Sequence, residues 1–472
     1  MSDTLDGWET VIGLEVHCEL ATATKLFCGC ANAFGDEPNT NICPVCLGLP
    51  GSLPVLNAKA VEYAVTLGLA LHCSVQPSVF ARKNYFYPDM PKDYQVTQYD
   101  RPTNIDGYLE LPSGTRVGIE RAHIEEDTGK NTHLGGGGRI HGADHSLIDY
   151  NRAGVPLVEI VSRPELTGAE DARAYANELR AILVATGVSD AKMEEGSMRV
   201  DANVSVRRPG AGLGTRCEIK NLNSIRSLGR GIEYEARRQI ELISSGERVR
   251  QETRHWDEDA GRTRAGRSKE EAEDYRYFNE PDLVPLEPDE SWLAELVATM
   301  AKLPSDRRAA LAAAAGVEPN ASGVALAVQR GLDELALAAV VAGGDAPGVL
   351  KHIEHNLADG AGALDAPGLA KLAVLEASGA LTATQAKAVL AVLVADGGDL
   401  EAIAKAKGFE AMADDDLEAV VDAAIAANPG AWAKVLAGDA KALGAVVGHV
   451  MKATKGQADG RSVNELLQSK KG

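Results

Sequence analysis

The sequence predicts an α+β fold, with a mixed sheet in the front part of the chain and helices alone in the rear part. Up to about residue 289 the chain is rich in Gly, Pro, Tyr and Arg, and several segments alternate between apolar and polar residues. Beyond Glu290, Ala, Leu, Val, Asp and Lys recur at helical spacing, as in residues 332–341 and 372–375. A two-residue period indicates strands and a 3.6-residue period indicates helices, so this change of pattern marks a domain boundary.

Length and charge limit the class of protein. A chain of 472 residues is long enough for two to four domains with a large buried core. No apolar run is long enough to span a bilayer and no basic start precedes an apolar segment, so we expect a soluble, cytoplasmic protein. The formal net charge of −20 argues against non-specific attraction to nucleic acid, so an RNA partner would need a local basic face.

Four cysteines near the start have the spacing of a metal site. Cys28, Cys30, Cys43 and Cys46 form a C-x-C and a C-x-x-C pair with twelve residues between them. Four thiolates are the ligand number of a tetrahedral structural zinc, so we predict such a site. The alternatives are free buried cysteines, or ligands that remain although no metal binds. A closed four-thiolate site has no open coordination position, so the activity must lie elsewhere.

Alternating segments in the front part place charged side chains together on single strand faces. Residues 11–20 predict a strand with Glu15, His17 and Glu19 on one face and apolar residues on the other. Residues 198–207 and 217–220 repeat this pattern. Further acidic and basic residues follow on these and neighbouring segments: Glu125, Glu126, Glu194, Arg199, Asp201, Glu218 and Lys220.

These residues have the chemistry of a magnesium and phosphate site. Mg²⁺ prefers carboxylate oxygens, which the acidic residues supply if their strands are neighbours in one sheet, and His17 would bind the ion or orient a ligand. Phosphoryl transfer also requires cations that neutralise charge on the phosphate. Candidates are Arg82, Lys83, Arg152, Arg199 and Lys220. Taken singly, each acid could be a solvated strand end and each cation a surface ion pair, but their clustering favours a site.

Several familiar catalytic motifs do not occur. The Gly129–Lys130 pair lacks the first glycine of a P-loop, and Asn131 stands where Ser or Thr should follow the lysine. The four glycines at 135–138 predict a hairpin tip or lid rather than a dinucleotide site. There is no G-x-S-x-G elbow, and no cysteine has the setting of a glutaminase nucleophile. If the protein uses ammonia, we expect a partner to supply it.

Motifs along nearly the whole chain form a combination typical of one family. They lie at residues 13–17, 81–89, 123–127, 149–157, 193–199, 218–224, 252–254, 267–270, 274–278, 450–456 and 463–467. Through these segments the chain resembles the B subunits of the aspartyl/glutamyl-tRNA amidotransferases. Ile124 and Thr128 differ from the family's usual Leu and Ala, at positions that are not ligands.

The resemblance implies a two-step ligase reaction. ATP would phosphorylate the side-chain carboxylate of Asp-tRNA(Asn) or Glu-tRNA(Gln), and ammonia would displace the phosphate. It implies ATP, Mg²⁺ and a structural Zn²⁺, a glutaminase A subunit, a small C subunit and tRNA as partners, and neither DNA nor a membrane. It also implies a catalytic cradle at 1–289, a helical domain at 290–405 and a tRNA-binding tail at 406–472.

Roles within the cradle follow as expectations. Glu15, His17, Glu126 and Glu218 are expected to hold Mg²⁺, and Glu125 to converge with them. Lys83 is expected beside the transferred phosphate. The nucleotide is expected to contact Arg82, Arg152, Glu194, Arg199, Asp201 and Lys220.

Two other functions stay open at this point. A free-standing ATP-dependent carboxylate–amine ligase would use dissolved ammonia, and a non-catalytic scaffold protein would only bind tRNA. Lys452–Lys471 is the short C-terminal segment with net positive character, so we expect the tRNA contact there. The alternative for this segment is a solvated helix end.

Overall fold

The computed structural model describes residues 7–135, 143–266, 275–409, 414–437, 442–454, 458 and 460–471. The motif at 267–270, most of the glycine run at 135–138, and Lys455 lie outside the described residues. The chain divides into two compact units, Met1–Pro304 and Ser305–Gly472. Strands occur in the first unit and helices alone in the second, over the residues described, so the predicted fold class is confirmed.

The first unit contains the strands and the first helices. The strands are β1 (Glu9–Glu19), β2 (Ser74–Val75), β3 (Ala81–Asn84), β4 (Tyr94–Thr97), β5 (Asn104–Glu110), β6 (Arg116–Glu126), β7 (Lys130–Leu134), β8 (His145–Asp149), β9 (Pro156–Ser162), β10 (Met198–Arg207), β11 (Cys217–Leu222), β12 (Thr253–Asp257), β13 (Arg262–Ala265) and β14 (Phe278–Asn279). The helices are α1 (Ala58–Ala70), α2 (Ala169–Ala185), α3 (Ile225–Ser244) and α4 (Glu290–Thr299).

Twelve of the described strands form one sheet in the order β13-β12-β11-β10-β1-β9-β6-β4-β3-β14, with β5 and β2 attached through β6. Neighbouring strands are antiparallel except for β11 and β12. The separate strands β7 and β8 form a hairpin. β9 lies between β1 and β6, so three strands that are distant in sequence lie side by side at the centre of the sheet.

One face of the sheet is apolar and covered by helices. In β1, Leu14, Val16 and Cys18 are fully buried, and they join a single core with residues of α1, α2 and α3. Burying each such large apolar side chain contributes about 1.5–3 kcal/mol. Because side chains alternate along a strand, the charged residues between them must lie on the opposite face. We call that opposite side the polar face.

Helix α1 approaches the sheet closely at Gly68. A Cβ atom there would lie 2.0 Å from the side-chain oxygen of Asn104 on β5. The Asn104 amide in turn donates to the carbonyls of Ala64 and Ala122, and so joins the helix to β6. A larger residue at position 68 would push α1 away from the strand that carries Glu125.

The first unit extends beyond residue 289, where composition placed the first domain boundary. Helix α4 packs Trp292, Leu293 and Leu296 against the core of the first unit. The prediction placed the boundary at the change of composition. In the structure, the apolar face of α4 packs against the core of the first unit. The first unit therefore keeps α4 and ends at Pro304.

The second unit is built from helices α5 to α15. They are α5 (Pro304–Ala315), α6 (Ser322–Gln329), α7 (Asp333–Val341), α8 (Ala346–Asn356), α9 (Ala366–Ala377), α10 (Ala383–Asp396), α11 (Leu400–Ala406), α12 (Asp414–Ala427), α13 (Pro429–Leu436), α14 (Leu443–Ala453) and α15 (Gly460–Ser469). Buried apolar residues form one cluster over 311–404 and another over 417–467. No helix within the described residues is both long and apolar enough to cross a bilayer.

Candidate active site

Three strands bring a histidine and two carboxylates together at the centre of the polar face. The strand register pairs His17 of β1 with Glu159 of β9, and Glu159 with His123 of β6. The His17 Nε2 atom lies 3.8 Å from Oε1 of Glu125. One ligand atom from each of His17, Glu125 and Glu159 falls within 4.8 Å of the other two. This arrangement has the size and chemistry of a metal site.

Sequence reasoning missed Glu159. The residue lies in the apolar segment Pro156–Ser162, between Val158 and Ile160, which are both buried in the core. A single acid in an otherwise apolar strand was the available signal, because such a residue must face a polar environment or a partner. His123 supplies part of that environment, with its Nε2 3.2 Å from Glu159 Oε2.

The carboxylates of the cluster differ in their electrostatic surroundings. Although burial acts in the opposite direction, the hydrogen bond from His123 and the charges of His123 and His17 hold the pKa of Glu159 well below its usual range. Burial raises the pKa of Glu125, and the neighbouring Glu159 raises it further. Burial also raises the pKa of Glu15, followed by the effects of Glu159 and Glu218. A divalent cation would relieve both effects because it stabilises the ionised form of each carboxylate.

Cationic side chains line the cavity over this cluster. The cavity has a volume of about 620 Å³, and Lys83 and Lys220 both line it. Lys220 Nζ lies 2.7 Å from Asp201 and 2.9 Å from Glu218, so it joins two predicted residues. The Glu218 carboxylate also accepts a hydrogen bond from Thr253. The Lys83 Nζ lies near Glu125 and above the ring of Tyr275.

A second charged group lies farther along the same strands. Arg199 donates to Asp127 at 2.7 Å, and Arg152 Nε lies 3.5 Å from the same carboxylate. Glu19 of β1 lies beside them. Burial, followed by the charge of Asp127, raises the pKa of Glu19 to about 7. Asp127, like Glu159, was not among the predicted site residues, although the predicted acidic motif at 123–127 contains it.

Three predicted residues are not brought to the cluster, and we correct the expected ligand set accordingly. Glu126 points to the face opposite Glu125, where it is paired with Lys92 and accepts a hydrogen bond from the amide of Val96. Arg82 likewise points away from Lys83 and binds Glu280 at 2.6 Å. Both follow from alternation, since adjacent residues of a strand cannot share a face. Glu194 is exposed in the turn before β10.

Glu15 is on the polar face but lies beside the cavity over the cluster. Its carboxylate accepts a hydrogen bond of 2.9 Å from Asn203 of β10. It lines a neighbouring cavity of about 500 Å³. Glu15 is therefore near the histidine–carboxylate cluster without being part of the closest ligand set.

The four predicted cysteines converge. The sulfur atoms of Cys28, Cys30, Cys43 and Cys46 all lie within 4.8 Å of one another, which fits a tetrahedral metal such as zinc. The backbone N–H of Cys43 donates to the Cys46 sulfur at 3.1 Å. A hydrogen bond from Cys28 lowers the pKa of the Cys46 thiol to about 5, so one thiolate forms readily.

The basic character of the C-terminal segment is partly neutralised in the structure. Lys470 lies 2.8 Å from Glu418 and 2.8 Å from Asp422, both on α12. Lys452 and Lys471 are exposed. An RNA contact in this region would therefore depend on these exposed lysines rather than on Lys470.

Comparisons with known proteins indicate the same family along most of the chain. The family model described as the GatB/GatE catalytic domain matches residues 10–294, and that described as the GatB domain matches residues 328–470. Relatives named as the B subunit of aspartyl/glutamyl-tRNA(Asn/Gln) amidotransferase include a protein of Frankia casuarinae, 49% identical over all of this chain and 97% of its own length. Those of Nocardia farcinica and Salinispora arenicola are each 50% identical, over 99% and 98% of this chain and 96% and 97% of their own lengths. The resemblance predicted from the motifs is confirmed, and the chain belongs to the GatB/GatE family.

Proposed function

We propose that this protein is the B subunit of a tRNA-dependent amidotransferase, which converts Asp-tRNA(Asn), Glu-tRNA(Gln) or both into the amidated forms. The observation that carries the proposal is the His17–Glu125–Glu159 cluster beside Lys83, in a chain similar over its full length to proteins of that name. A cluster of this kind suits the transfer of a phosphoryl group to a carboxylate and the replacement of that group by ammonia.

In the first step, a side-chain carboxylate oxygen of the aminoacyl group attacks the γ-phosphorus of ATP. A P–O bond forms, the bond to the β-phosphate oxygen breaks, and ADP leaves. The transferred group carries its charge on three oxygens, so a cation placed beside it lowers the barrier. Lys83 can serve in this way because it lines the cavity on the same face as Glu125.

In the second step, ammonia attacks the carbonyl carbon of the acyl phosphate. The C–N bond forms, the C–O bond to phosphate breaks, and a proton leaves the nitrogen as the amide forms. Carboxylates on the polar face would accept that proton, and Lys83 and Lys220 would stabilise the departing phosphate. The ammonia would come from glutamine through the A subunit, with a small C subunit completing the complex.

The histidine–carboxylate cluster fits a Mg²⁺ ion. Glu125 and Glu159 would supply oxygen ligands, and His17 would complete or orient the set. When bound, the ion would neutralise charge on the phosphate oxygens of ATP. The pKa values of Glu15 and Glu125 are raised first by burial and then by neighbouring carboxylates, and a bound cation would stabilise the ionised form of each.

A zinc ion at the four cysteines would have a structural role. Four thiolates complete its coordination at distances of about 2.3 Å, which leaves no position for a substrate. We expect that Cys43→Ser lowers the zinc content and the melting temperature of the purified protein. Protein that contains no zinc as purified, and takes up none on reconstitution, would contradict this assignment.

The tail would contact the body of the tRNA through local charge. A truncation from residue 406 should weaken tRNA binding and amidation, while ammonia release by the partner persists. We expect the loss to be greatest at low salt, because exposed lysines act through screened charge. Equal binding by truncated and intact complexes over a salt titration would assign the tail to solubility or assembly.

The decisive experiment measures ATP hydrolysis that depends on misacylated tRNA, with the complete complex. We expect Glu159→Gln to lower this rate by roughly 100-fold or more, because the change removes an anionic oxygen ligand of the cation that would neutralise the phosphate. Glu110→Gln on β5 is the matched control, since Glu110 is an exposed acid that pairs with Arg116. Equal rates for the two variants would remove Glu159 from the site.

The same assay separates the alternatives. A wild-type complex that binds tRNA but shows neither tRNA-dependent ATP hydrolysis nor amidation would favour the scaffold. Amidation by the chain alone with dissolved ammonia and a free amino acid would favour the independent ligase. The clustered carboxylates beside Lys83 favour catalysis, because a scaffold has no need of ionisable groups with shifted pKa values gathered in a cavity.

A further inference from the structure

Aromatic side chains are scarce in this chain, and a group of them lies at one edge of the main cavity. Phe, Trp and Tyr make up 4% of the residues, and five of the eleven tyrosines belong to this group. We call it the aromatic rim. It comprises Tyr85, Tyr87, Tyr99, Tyr275 and Tyr277.

The rings of the rim contact one another in a line that begins at the cavity. Lys83 lines the cavity, and its Nζ lies 4.6 Å from the centre of the Tyr275 ring. Tyr275 meets Tyr277 edge-on at 6.0 Å, and Tyr277 stacks on Tyr99 at 4.5 Å with an interplanar angle of 12°. The rim therefore extends from a residue beside Glu125 to an exposed ring.

A second line of rings starts from the same cavity. Tyr85 lines the cavity and stacks on Tyr87 at 5.8 Å with an interplanar angle of 27°. The two lines of rings thus begin at Tyr275, which contacts Lys83, and at Tyr85, which lines the same cavity.

Packing in the hydrophobic core does not explain why these rings are grouped in the aromatic rim. Tyr99 and Tyr87 are 51% and 36% exposed, and no rim residue belongs to the described buried core of the first unit. A cluster of exposed aromatic rings beside a functional cavity usually marks a binding surface. The flat faces of such rings are suited to stacking against planar ligands.

The net charge of the protein limits the kinds of ligand that the aromatic rim could bind. With a net charge of −20, the protein gains little affinity for RNA from its average field. Stacking of bases on aromatic rings provides affinity for single-stranded RNA with little dependence on charge. The amino acid of an aminoacyl-tRNA is attached to the terminal nucleotide of an unpaired 3′ end, so unpaired bases must lie close to the cavity during the reaction.

We propose that the aromatic rim stacks against the unpaired 3′-terminal bases of the aminoacyl-tRNA and so directs the esterified amino acid into the cavity. The inference rests on the proposed function. It assigns RNA contact to uncharged rings of the first unit, in addition to the lysines of the tail. The rim extends outward from the cavity over several rings, which suits successive bases better than the single adenine of ATP.

The test compares three variants of the complete complex. Tyr99→Ala removes an exposed ring, Tyr99→Phe keeps the ring, and Tyr108→Ala is the control. Tyr108 is a partly exposed tyrosine on β5 that stacks on His72, outside the rim and the cavity lining. The probes are intact tRNA and the same tRNA shortened by its unpaired 3′ nucleotides, both in binding assays over a salt series.

We expect Tyr99→Ala to weaken binding of intact tRNA by about tenfold, the usual effect of losing one stacked base. The slope of affinity against salt should stay unchanged, because no charge is lost. Tyr99→Phe and Tyr108→Ala should bind as the wild type does. The shortened tRNA should bind Tyr99→Ala and wild type equally.

Several outcomes would overturn the inference. Unchanged binding of intact tRNA by Tyr99→Ala would do so, as would an equal loss with the shortened tRNA. A rise in KM for ATP alone would assign the rim to the adenine of ATP instead. A failure of the proposed function would give a different result from a failure of this inference, because the wild-type complex itself would then show no tRNA-dependent ATP hydrolysis.

Discussion

The same strands form both faces of the central sheet, but the charged side chains on the two faces have different partners. On the polar face, Glu125 lies near His17 and Glu159, and burial followed by the charge of Glu159 raises its pKa. On the opposite face, the adjacent Glu126 is buried and paired directly with Lys92. Two adjacent carboxylates of one strand thus differ: Glu125 lines the cavity, whereas Glu126 forms a buried ion pair within the protein.

The neighbouring strand β3 shows the same division for cations. Lys83 faces the cavity, whereas Arg82 binds Glu280, a residue only 2% exposed. Charges that serve the fold are paired at short distance, because a buried unpaired charge is very unfavourable. Lys83, by contrast, forms no ion pair with another of the described residues and faces the cavity. On β3, pairing therefore distinguishes the two cations more clearly than their charge or their position in the motif.

The largest effect should come from Glu126→Gln. This change leaves Lys92 without its partner in a buried environment, so we expect a loss of about 3–5 kcal/mol in the free energy of unfolding. Chemical denaturation monitored at the tryptophans measures it, with Glu110→Gln as the exposed control. Titration with Mg²⁺ should give the wild-type affinity. Normal stability together with lost metal binding would reverse the assignment of the two faces.

The second largest effect is expected for Lys83→Gln. We expect the rate of tRNA-dependent ATP hydrolysis to fall by roughly 100-fold, because the change removes the cation that we propose to lie beside the phosphate. Arg82→Gln should retain nearly the wild-type rate, since Arg82 points to the other face. If the two variants lost activity equally, alternation along β3 would not explain their roles.

A smaller effect, dependent on pH, is expected at Glu19. Its pKa is raised from 4.5 to about 7 in the folded protein, chiefly by burial and then by Asp127. The folded state therefore binds this proton more tightly than the unfolded chain, and folding becomes less favourable as pH rises between about 4.5 and 7. Glu19→Gln should remove this loss, so that above pH 7 the variant is more stable by up to about 3 kcal/mol.

Melting curves of wild type and Glu19→Gln across this pH range provide the measurement. The two proteins should have equal stability below about pH 4.5, and the difference should level off above about pH 7. A constant difference at all pH values would show that the substitution acts through packing rather than through the proton.

The smallest effect is expected for the stability of Arg82→Gln. The change leaves the buried carboxylate of Glu280 without its cationic partner, so the variant should lose about 2–3 kcal/mol, less than Glu126→Gln because Arg82 is partly exposed. Thermal unfolding of Arg82→Gln and Lys83→Gln measures the contrast. A larger loss of stability for Lys83→Gln would show that Lys83 also serves the fold.

Much of the site could be predicted because alternation is a local property. Residues 11–20 predicted that Glu15, His17 and Glu19 share a face, and the structure places all three on the polar face. The cysteine spacing predicted convergence of four sulfur atoms, which the structure shows. Glu126 was wrongly grouped with Glu125 because they are adjacent acids in one motif, although adjacent strand residues point to opposite sides.

The sequence by itself determined the α+β front and helical rear, the cysteine cluster and the family, since each is encoded in local period, spacing or motif. Only the tertiary structure decided that β9 lies between β1 and β6 and brings Glu159 to His17 and Glu125. It likewise brought Tyr275 and Tyr277 to the cavity edge near Tyr99. The physical reason is that strand order and register depend on pairing between distant segments, and a shift of one residue would turn every side chain of a strand to the other face.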